Sequence, residues 1–238
     1  MRADVIIFDK DGTLMDFDAY WVTVSAKSVA RVLRDIGRED IPVSEILWAF
    51  GVRDGVTAPD SVLCKGTYEE MGRAMSDVLE KYGASLPLSV IIEKMLNAYE
   101  RCSHEGRVRP TCENLYGVLS GFKRQGKKLM VVTTDKEDST HRCLRLLGVE
   151  TLFDQIYSDN GQAPTKPDPF LLEKIRRETG VSRERMIMVG DTLTDMAFAR
   201  NGGIFSVGVA KTAENAAALR PFADFVIPDV SHLPEILA

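Results

Sequence analysis

The sequence predicts an α/β protein, a doubly wound and mostly parallel sheet into which a helical segment is inserted. Three observations carry that prediction. Val5-Ile6-Ile7-Phe8 is an apolar run without a polar break, the pattern of a strand buried on both faces, as in a parallel sheet. From Asp16 to about Arg107 the apolar spacing is helical. After Pro110 helices and Val-rich strands alternate, the order that builds parallel sheets with helices on both faces. The expected boundaries are residues 1–15 with 108–238 for an α/β core and 16–107 for a helical insert.

In chain order, Tyr20, Val24, Val29, Val32, Leu33 and Ile36 are roughly helix-spaced, and Gly37 supplies a stop. Phe50 to Pro59 reads as a Gly/Pro-bearing loop. Thr67-Tyr68-Glu69-Glu70 fits a capping box for a helix that Gly83 ends, and a further helix runs from about Leu88 to His104. Trp21 and Trp48 are expected in the core of this insert. Thr111 is the expected cap of a helix running to about Gln125. Lys128 to Val132 is a second buried strand ending at Thr133-Thr134-Asp135, followed by a helix to Leu147 and a short strand at Gln155–Ser158. Asp168 as N-cap and Pro169 at the first helical position open a helix that Gly180 closes. Met186 to Val189 runs as a strand into Gly190-Asp191. Then come a helix to Gly202-Gly203, strands at Phe205–Val209 and Asp224–Ile227, and a closing helix at Leu233–Leu237.

Composition narrows the function classes. A hydrophobic fraction of 45% with 27% charged residues is ordinary for a globular protein with ample core material. No apolar run approaches the ~18 residues of a membrane span, and no export signal is visible near residue 1, so a cytoplasmic location is expected. A net charge of −5 without a dense Lys/Arg cluster leaves no footprint for nucleic acid. Cys64, Cys102, Cys112 and Cys143 are far apart and read as reduced thiols. His104, His141 and His232 are scattered, which gives no support to a zinc site or a histidine-based triad.

The chemistry-bearing residues cluster after strands. Asp9-Lys10-Asp11-Gly12-Thr13-Leu14 follows the first one. Alternation lets Asp9 and Asp11 project to one side while Lys10 points away. Two like charges this close are costly unless a cation lies between them or one holds a proton. Gly12 lets backbone N–H groups approach a ligand. Taken alone, the motif is equally a turn, because Asp and Gly dominate turns. Thr133 and Asp191 also follow apolar strands, and in an open α/β sheet the strands' carboxyl ends line one crevice where ligands bind. Lys166 stands in Thr165-Lys166-Pro167-Asp168-Pro169, held outside the helix that opens after it. In Gly190-Asp191-Thr192-Leu193-Thr194-Asp195, a helix starting at once would make Asp191 and Asp195 an i, i+4 like-charge pair, a cost that a metal or lysine opposite would remove.

As an ordered set, Asp9-Lys10-Asp11-Gly12-Thr13-Leu14, Thr133, Lys166 before Pro167-Asp168-Pro169, and Gly190 to Asp195 resemble the haloacid dehalogenase (HAD) superfamily. The insert after the first motif resembles the helical cap of its phosphoglycolate-phosphatase-like branch. The resemblance implies a Rossmann-like core and a phosphatase acting on a small phosphate monoester. Residue chemistry agrees, since phosphoryl transfer needs a nucleophile, charge neutralisation and a proton for the leaving group. Asp9 is the expected nucleophile, forming an aspartyl-phosphate. Asp11 is the expected proton donor to the leaving alkoxide and later the base toward water, with a pKa raised by Asp9.

Hard oxygen ligands suit Mg²⁺, held by Asp9, the Asp11 carbonyl and Asp191, with Asp195 a ligand through water or a partner of Lys166. Thr133 and Lys166 would donate to phosphate oxygens, with backbone N–H groups near Asp11, Gly12 and Thr134 completing the cradle. Thr13 is expected to brace the loop. In the cap, Arg53 is a candidate for holding a substrate carboxylate, and Lys65 flanks the same loop. A dehalogenase resembling this chain would lack an acid at position 11. A phosphomutase, a phosphonate hydrolase using Lys65, and less readily a phospho-acceptor signalling module are the alternatives. A monomer or homodimer is expected, without nucleic-acid or membrane partners.

Overall fold

In the computed structural model, which describes residues 2–58 and 61–237, the first strand, β1 (Val5–Phe8), is buried at every position. The chain divides into two units, Met1–Asp16 with Val108–Ala238, and Phe17–Arg107.

The second unit opens with a π-helical turn, Asp18–Val22, that continues into α1 (Thr23–Asp35). A helix absent from the sequence reading follows, α2 (Val43–Ala49). The expected Gly/Pro loop instead folds into a hairpin of β2 (Val52–Arg53) and β3 (Val56–Thr57), so the insert is not wholly helical. Asp54 and Gly55 turn it with positive φ, and Thr57 N–H donates to Asp18 Oδ1 at 3.0 Å. Two-residue strands are too short to show a period, which is why the sequence did not reveal them. Pro59, at the end of that stretch, lies outside the described residues. After a short turn, α3 (Val62–Lys65), come α4 (Tyr68–Lys81) and α5 (Leu88–Cys102). The capping box at Thr67 and Glu70 is present in both directions. One face of each helix is buried: Met71, Met75, Val78 and Leu79 on α4, Ile91, Met95, Ala98 and Tyr99 on α5. Buried Tyr99 finds a partner by donating to Ser25 Oγ at 2.8 Å. Trp48, expected in the core, is 58% exposed.

In the first unit the chain continues with α6 (Leu115–Arg124), β4 (Lys128–Lys136), α7 (Glu137–Leu146), β5 (Gln155–Asp159), α8 (Phe170–Thr179), β6 (Met186–Gly190), α9 (Leu193–Gly202), β7 (Phe205–Val209), α10 (Ala213–Leu219), β8 (Phe225–Ile227) and α11 (Leu233–Ile236). α10 was not anticipated from sequence. Two caps are corrected. Asn114, not Thr111, caps α6 by accepting from Gly117 N–H at 3.1 Å, and Thr111 Oγ donates instead to the Thr13 carbonyl at 2.5 Å. α8 starts one residue later than expected, with Pro169 as cap residue, although Asp168 Oδ1 still accepts from Phe170 N–H.

The sheet is six-stranded and parallel throughout, in the order β5-β4-β1-β6-β7-β8. The connections run outward from β1 to one edge and then cross to the other, which makes the junction of β4, β1 and β6 the switch point where such sheets bind ligands. The strand pleat sorts the core into two layers. Ile6, Phe8, Leu129, Val131, Ile187 and Val189 pack with α6 and α7 residues on one face. Val5, Ile7, Met130, Val132, Met186 and Met188 pack with Leu171, Leu172, Ile175 and Phe198 of α8 and α9 on the other. Residue 9 therefore continues the face of α8 and α9, and residue 10 the face of α6 and α7.

Candidate active site

Asp9 leaves the end of β1 with its side chain 9% exposed. Lys166, from the segment before α8, donates to Asp9 Oδ1 at 2.5 Å and to Asp195 Oδ1 at 2.6 Å. The Lys166 side chain is 4% exposed and that of Asp195 is 0% exposed, so this acid–ammonium–acid bridge is out of water.

Asp195 is held at both oxygens. It is the third residue of α9, and its Oδ2 accepts from Thr192 N–H at 3.0 Å and Thr192 Oγ at 2.6 Å, while Thr192 Oγ accepts from Asp195 N–H. This capping box turns the carboxylate back toward the sheet end, leaving Oδ1 for Lys166. Gly190 makes room for it, because a Cβ there would lie 2.4 Å from the Asp195 Cβ. Asp191 precedes the helix, whose first residue is Leu193. It is therefore not the helical i, i+4 partner of Asp195 that an earlier helix start would have made it. Its Oδ1 accepts from the hydroxyl of buried Thr13 at 3.2 Å.

Asp9, Asp191 and Asp195 each offer a carboxylate oxygen within 4.8 Å of the others. Burial, the largest influence, raises the Asp9 pKa. Lys166 lowers it, Asp195 and Asp11 raise it further, and the outcome is about 7. The Asp191 carboxyl is raised well above its ordinary value by burial and by Asp9 and Asp195. Burial pulls the Lys166 ammonium down, but the fields of Asp195 and Asp9 outweigh it and leave its pKa above the ordinary lysine value. Once ionised, three acids facing one ammonium would leave two negative charges uncompensated beside the buried Asp9 and Asp195. All-oxygen donors and that charge fit a hard divalent cation.

Thr133 is buried near the end of β4, and its Oγ accepts from Asp135 N–H at 3.2 Å. One lone pair so occupied leaves the hydroxyl proton for another acceptor. Thr134, next along the strand, is exposed.

Two expectations about the first motif need correcting. Gly12 N–H donates to the Met15 carbonyl at 2.7 Å, so it is spent inside the turn and does not face a ligand. The glycine serves the site differently: its φ is +77°, and a Cβ there would collide with the Asp191 carboxylate. Asp11, expected to answer mainly to Asp9, has its Oδ2 ion-paired at 2.7 Å with Lys10. Lys10 is wholly buried on the opposite side of the strand and also reaches Asp135 Oδ2 at 3.0 Å. Burial presses the Lys10 pKa down, but Asp11 and Asp135 more than reverse this and hold it above the ordinary value. The sequence motifs contain Lys10, Asp135, Thr192 and Gly190 but gave them no role in the site. The capping spacing of Thr192 and Asp195 was the available signal for one of them.

Arg53 belongs to the second unit. Its Nη1 donates to the Trp48 carbonyl at 2.6 Å and the Val52 carbonyl at 2.9 Å, and its guanidinium carbon lies 4.4 Å from the centre of the exposed Trp48 ring. Lys65, on α3, is exposed.

At its switch point the parallel α/β sheet thus gathers three carboxylates around one buried lysine. Residues 59–209 match the haloacid dehalogenase-like hydrolase family. The chain belongs to that family. It is similar to pyrophosphatase PpaX of Halalkalibacterium halodurans, with 25% identity over 241 residues covering 100% of this chain and 98% of that protein. PpaX of Bacillus velezensis is 29% identical over 147 residues, 60% of this chain and 68% of that one. Among solved structures, a predicted phosphoglycolate phosphatase from Haemophilus somnus superposes with a TM-score of 0.73 at 18% identity, covering 100% of this chain and 99% of that one. YfnB of Bacillus subtilis, a proposed HAD hydrolase bound to magnesium, gives 0.69 at 20% identity over 100% and 99%. Among the described residues no helix is long and apolar enough to cross a membrane.

Proposed function

We propose that this chain is a Mg²⁺-dependent phosphatase that hydrolyses a small phosphorylated metabolite through an aspartyl-phosphate on Asp9. The observation that carries the reading is the convergence of Asp9, Lys166, Asp191 and Asp195 from three separate segments onto one sheet end. Asp9, Asp191 and the Asp11 carbonyl would hold the cation, with Asp195 serving chiefly to fix Lys166. When bound, Mg²⁺ supplies positive charge that offsets the anionic substrate and transition state.

The chain's own groups account for the remaining steps. Lys166 fixes one oxygen of Asp9 and orients the carboxylate for attack. A carboxylate oxygen of Asp9 bonds to phosphorus as the bond to the leaving oxygen breaks, and Asp11 gives that oxygen its proton. Asp11 then takes a proton from the water whose oxygen attacks the acyl phosphate, releasing phosphate and restoring Asp9. Thr133, whose hydroxyl proton is left for another acceptor, and Lys166 donate to the phosphoryl oxygens. We further propose that the Phe17–Arg107 unit is a cap that selects the substrate, with Arg53 as a contact for a carboxylate. The remaining N–H groups of Arg53 fit that role, and its stacking on Trp48 fixes the guanidinium plane.

A second reading concerns the leaving group alone. Similarity to PpaX proteins over the full chain supports pyrophosphate as a substrate, with the same nucleophile and a phosphate in place of the alkoxide. Purified protein assayed with 2-phosphoglycolate, sugar and nucleotide monophosphates, pyrophosphate and p-nitrophenyl phosphate, with and without Mg²⁺, separates the two. Turnover should require Mg²⁺ and vanish in Asp9→Asn. Parent-like rates in that variant would end the nucleophile assignment.

A further inference from the structure

Lys10 has no role in the chemistry described so far, yet it is among the largest fully buried side chains. Its strand-mates on the same face, Ile6 and Phe8, are core residues. An apolar side chain would satisfy that position without the cost of removing an ammonium from water, which its partners must offset. The ion pairs show where the compensation comes from. Lys10 Nζ lies 2.7 Å from Asp11 Oδ2 and 3.0 Å from Asp135 Oδ2.

Asp135 is itself fixed. Its Oδ1 accepts from Lys136 N–H at 2.8 Å and its Oδ2 from Ser139 Oγ at 2.7 Å, at the start of α7. Its own N–H orients Thr133 Oγ. A rigid acid at the end of β4 thus anchors an ammonium that grips the carboxylate of Asp11 after β1. Holding one oxygen of Asp11 restricts the rotation of the carboxylate and decides which oxygen faces the departing group. Fixed orientation is what makes intramolecular proton transfer efficient.

We propose that Lys10 is a positioning residue: anchored by Asp135, it holds the Asp11 carboxylate in the orientation from which the leaving group is protonated. The inference rests on the reading of Asp11 as proton donor, and the test separates the two.

The measured quantity is kcat/KM, which reports the steps up to departure of the alcohol, for an alkyl phosphate and for p-nitrophenyl phosphate, whose leaving group barely needs a proton. Lys10→Met should lower the alkyl value by at least about tenfold and the p-nitrophenyl value by less than about threefold, within the range general acids contribute. In an Asp11→Asn background, adding Lys10→Met should cause no further alkyl-selective loss. Equal losses on both substrates, or an undiminished second loss in the double variant, would overturn the proposal, since a merely structural lysine affects both alike. If Asp11→Asn alone shows no alkyl-selective loss, the proton-donor reading fails first. Circular dichroism and thermal melting check folding. Should Lys10→Met not fold, Asp135→Asn takes its place: a smaller loss of the same alkyl-selective kind supports the proposal, and an unselective loss or none overturns it.

Discussion

Gly12 stands so close to Asp191 that a methyl group on its Cα would lie 2.0 Å from Asp191 Oδ2. The turn after β1 and the turn after β6 are thus fitted to each other, with Thr13 Oγ donating to the opposite oxygen of the same carboxylate. Gly12→Ala should therefore displace Asp191 as well as strain a backbone at φ +77°. The expected outcome is Mg²⁺ activation requiring about 10–100-fold more metal, the usual cost of disturbing a ligand's supporting shell, with secondary structure intact. An unchanged Mg²⁺ titration would show that Asp191 does not need this space.

Lys166→Met tests the buried bridge. The substitution keeps length but leaves Asp9 and Asp195 facing each other without their cation. Breaking a buried pair by removing one partner costs about 3–5 kcal/mol, so urea unfolding of the metal-free variant should shift by that order. Added Mg²⁺ should recover part of the loss in stability but not the activity, which should remain at least about a hundredfold down. Full activity with Mg²⁺ present would place Lys166 outside the phosphate site.

The pH dependence follows from the two raised carboxyls. Between the ordinary value of 3.8 and the folded value of about 7, native Asp9 keeps a proton that the unfolded chain has released. A native state that binds more protons loses stability as pH rises. Asp191 acts in the same direction, while Lys166, raised above the ordinary lysine value, stays charged in both states throughout this window. The melting temperature of the metal-free protein should therefore fall between pH 5.5 and 7.5, by a few degrees or more. On the proposed reading Mg²⁺ is held by the ionised carboxylates, so it should raise the melting temperature more at the upper end of that range. In metal-free Asp9→Asn the decline should flatten. A magnesium shift independent of pH would contradict this account.

The core strands were legible because parallel β-strands buried on both faces are written as unbroken apolar runs, as at Val5–Phe8 and Met186–Val189. The Thr67 cap was legible because its donors and acceptors are local in sequence. The hairpin at Val52–Thr57 was hidden because two residues per strand carry no period, and Thr111 misled because its hydroxyl bonds to the distant Thr13 carbonyl rather than to the adjacent helix. In the candidate site, acids at strand ends could be read from position alone. What those acids touch could not: the Lys10–Asp135 pair joins residues whose only link is that β1 and β4 lie side by side. The N–H of Gly12 was misassigned for a similar reason, since a turn's internal hydrogen bonds are not visible in its composition.

The strand at the centre of the sheet is also the first of its six strands in chain order. Val5 pairs with Lys128 on one side and Met186 on the other, so residues 5–8 have no sheet partner until residue 128 and those after it have been made. Pairings of such long sequence separation form slowly, because loop closure must precede any reward from contact. The helices of the Phe17–Arg107 unit, by contrast, have partners close at hand in sequence. Pulse-labelled hydrogen exchange during refolding should find the amides of α4 and α5 protected before those of Val5–Phe8. Asp9 would then be made early and become usable only near the end.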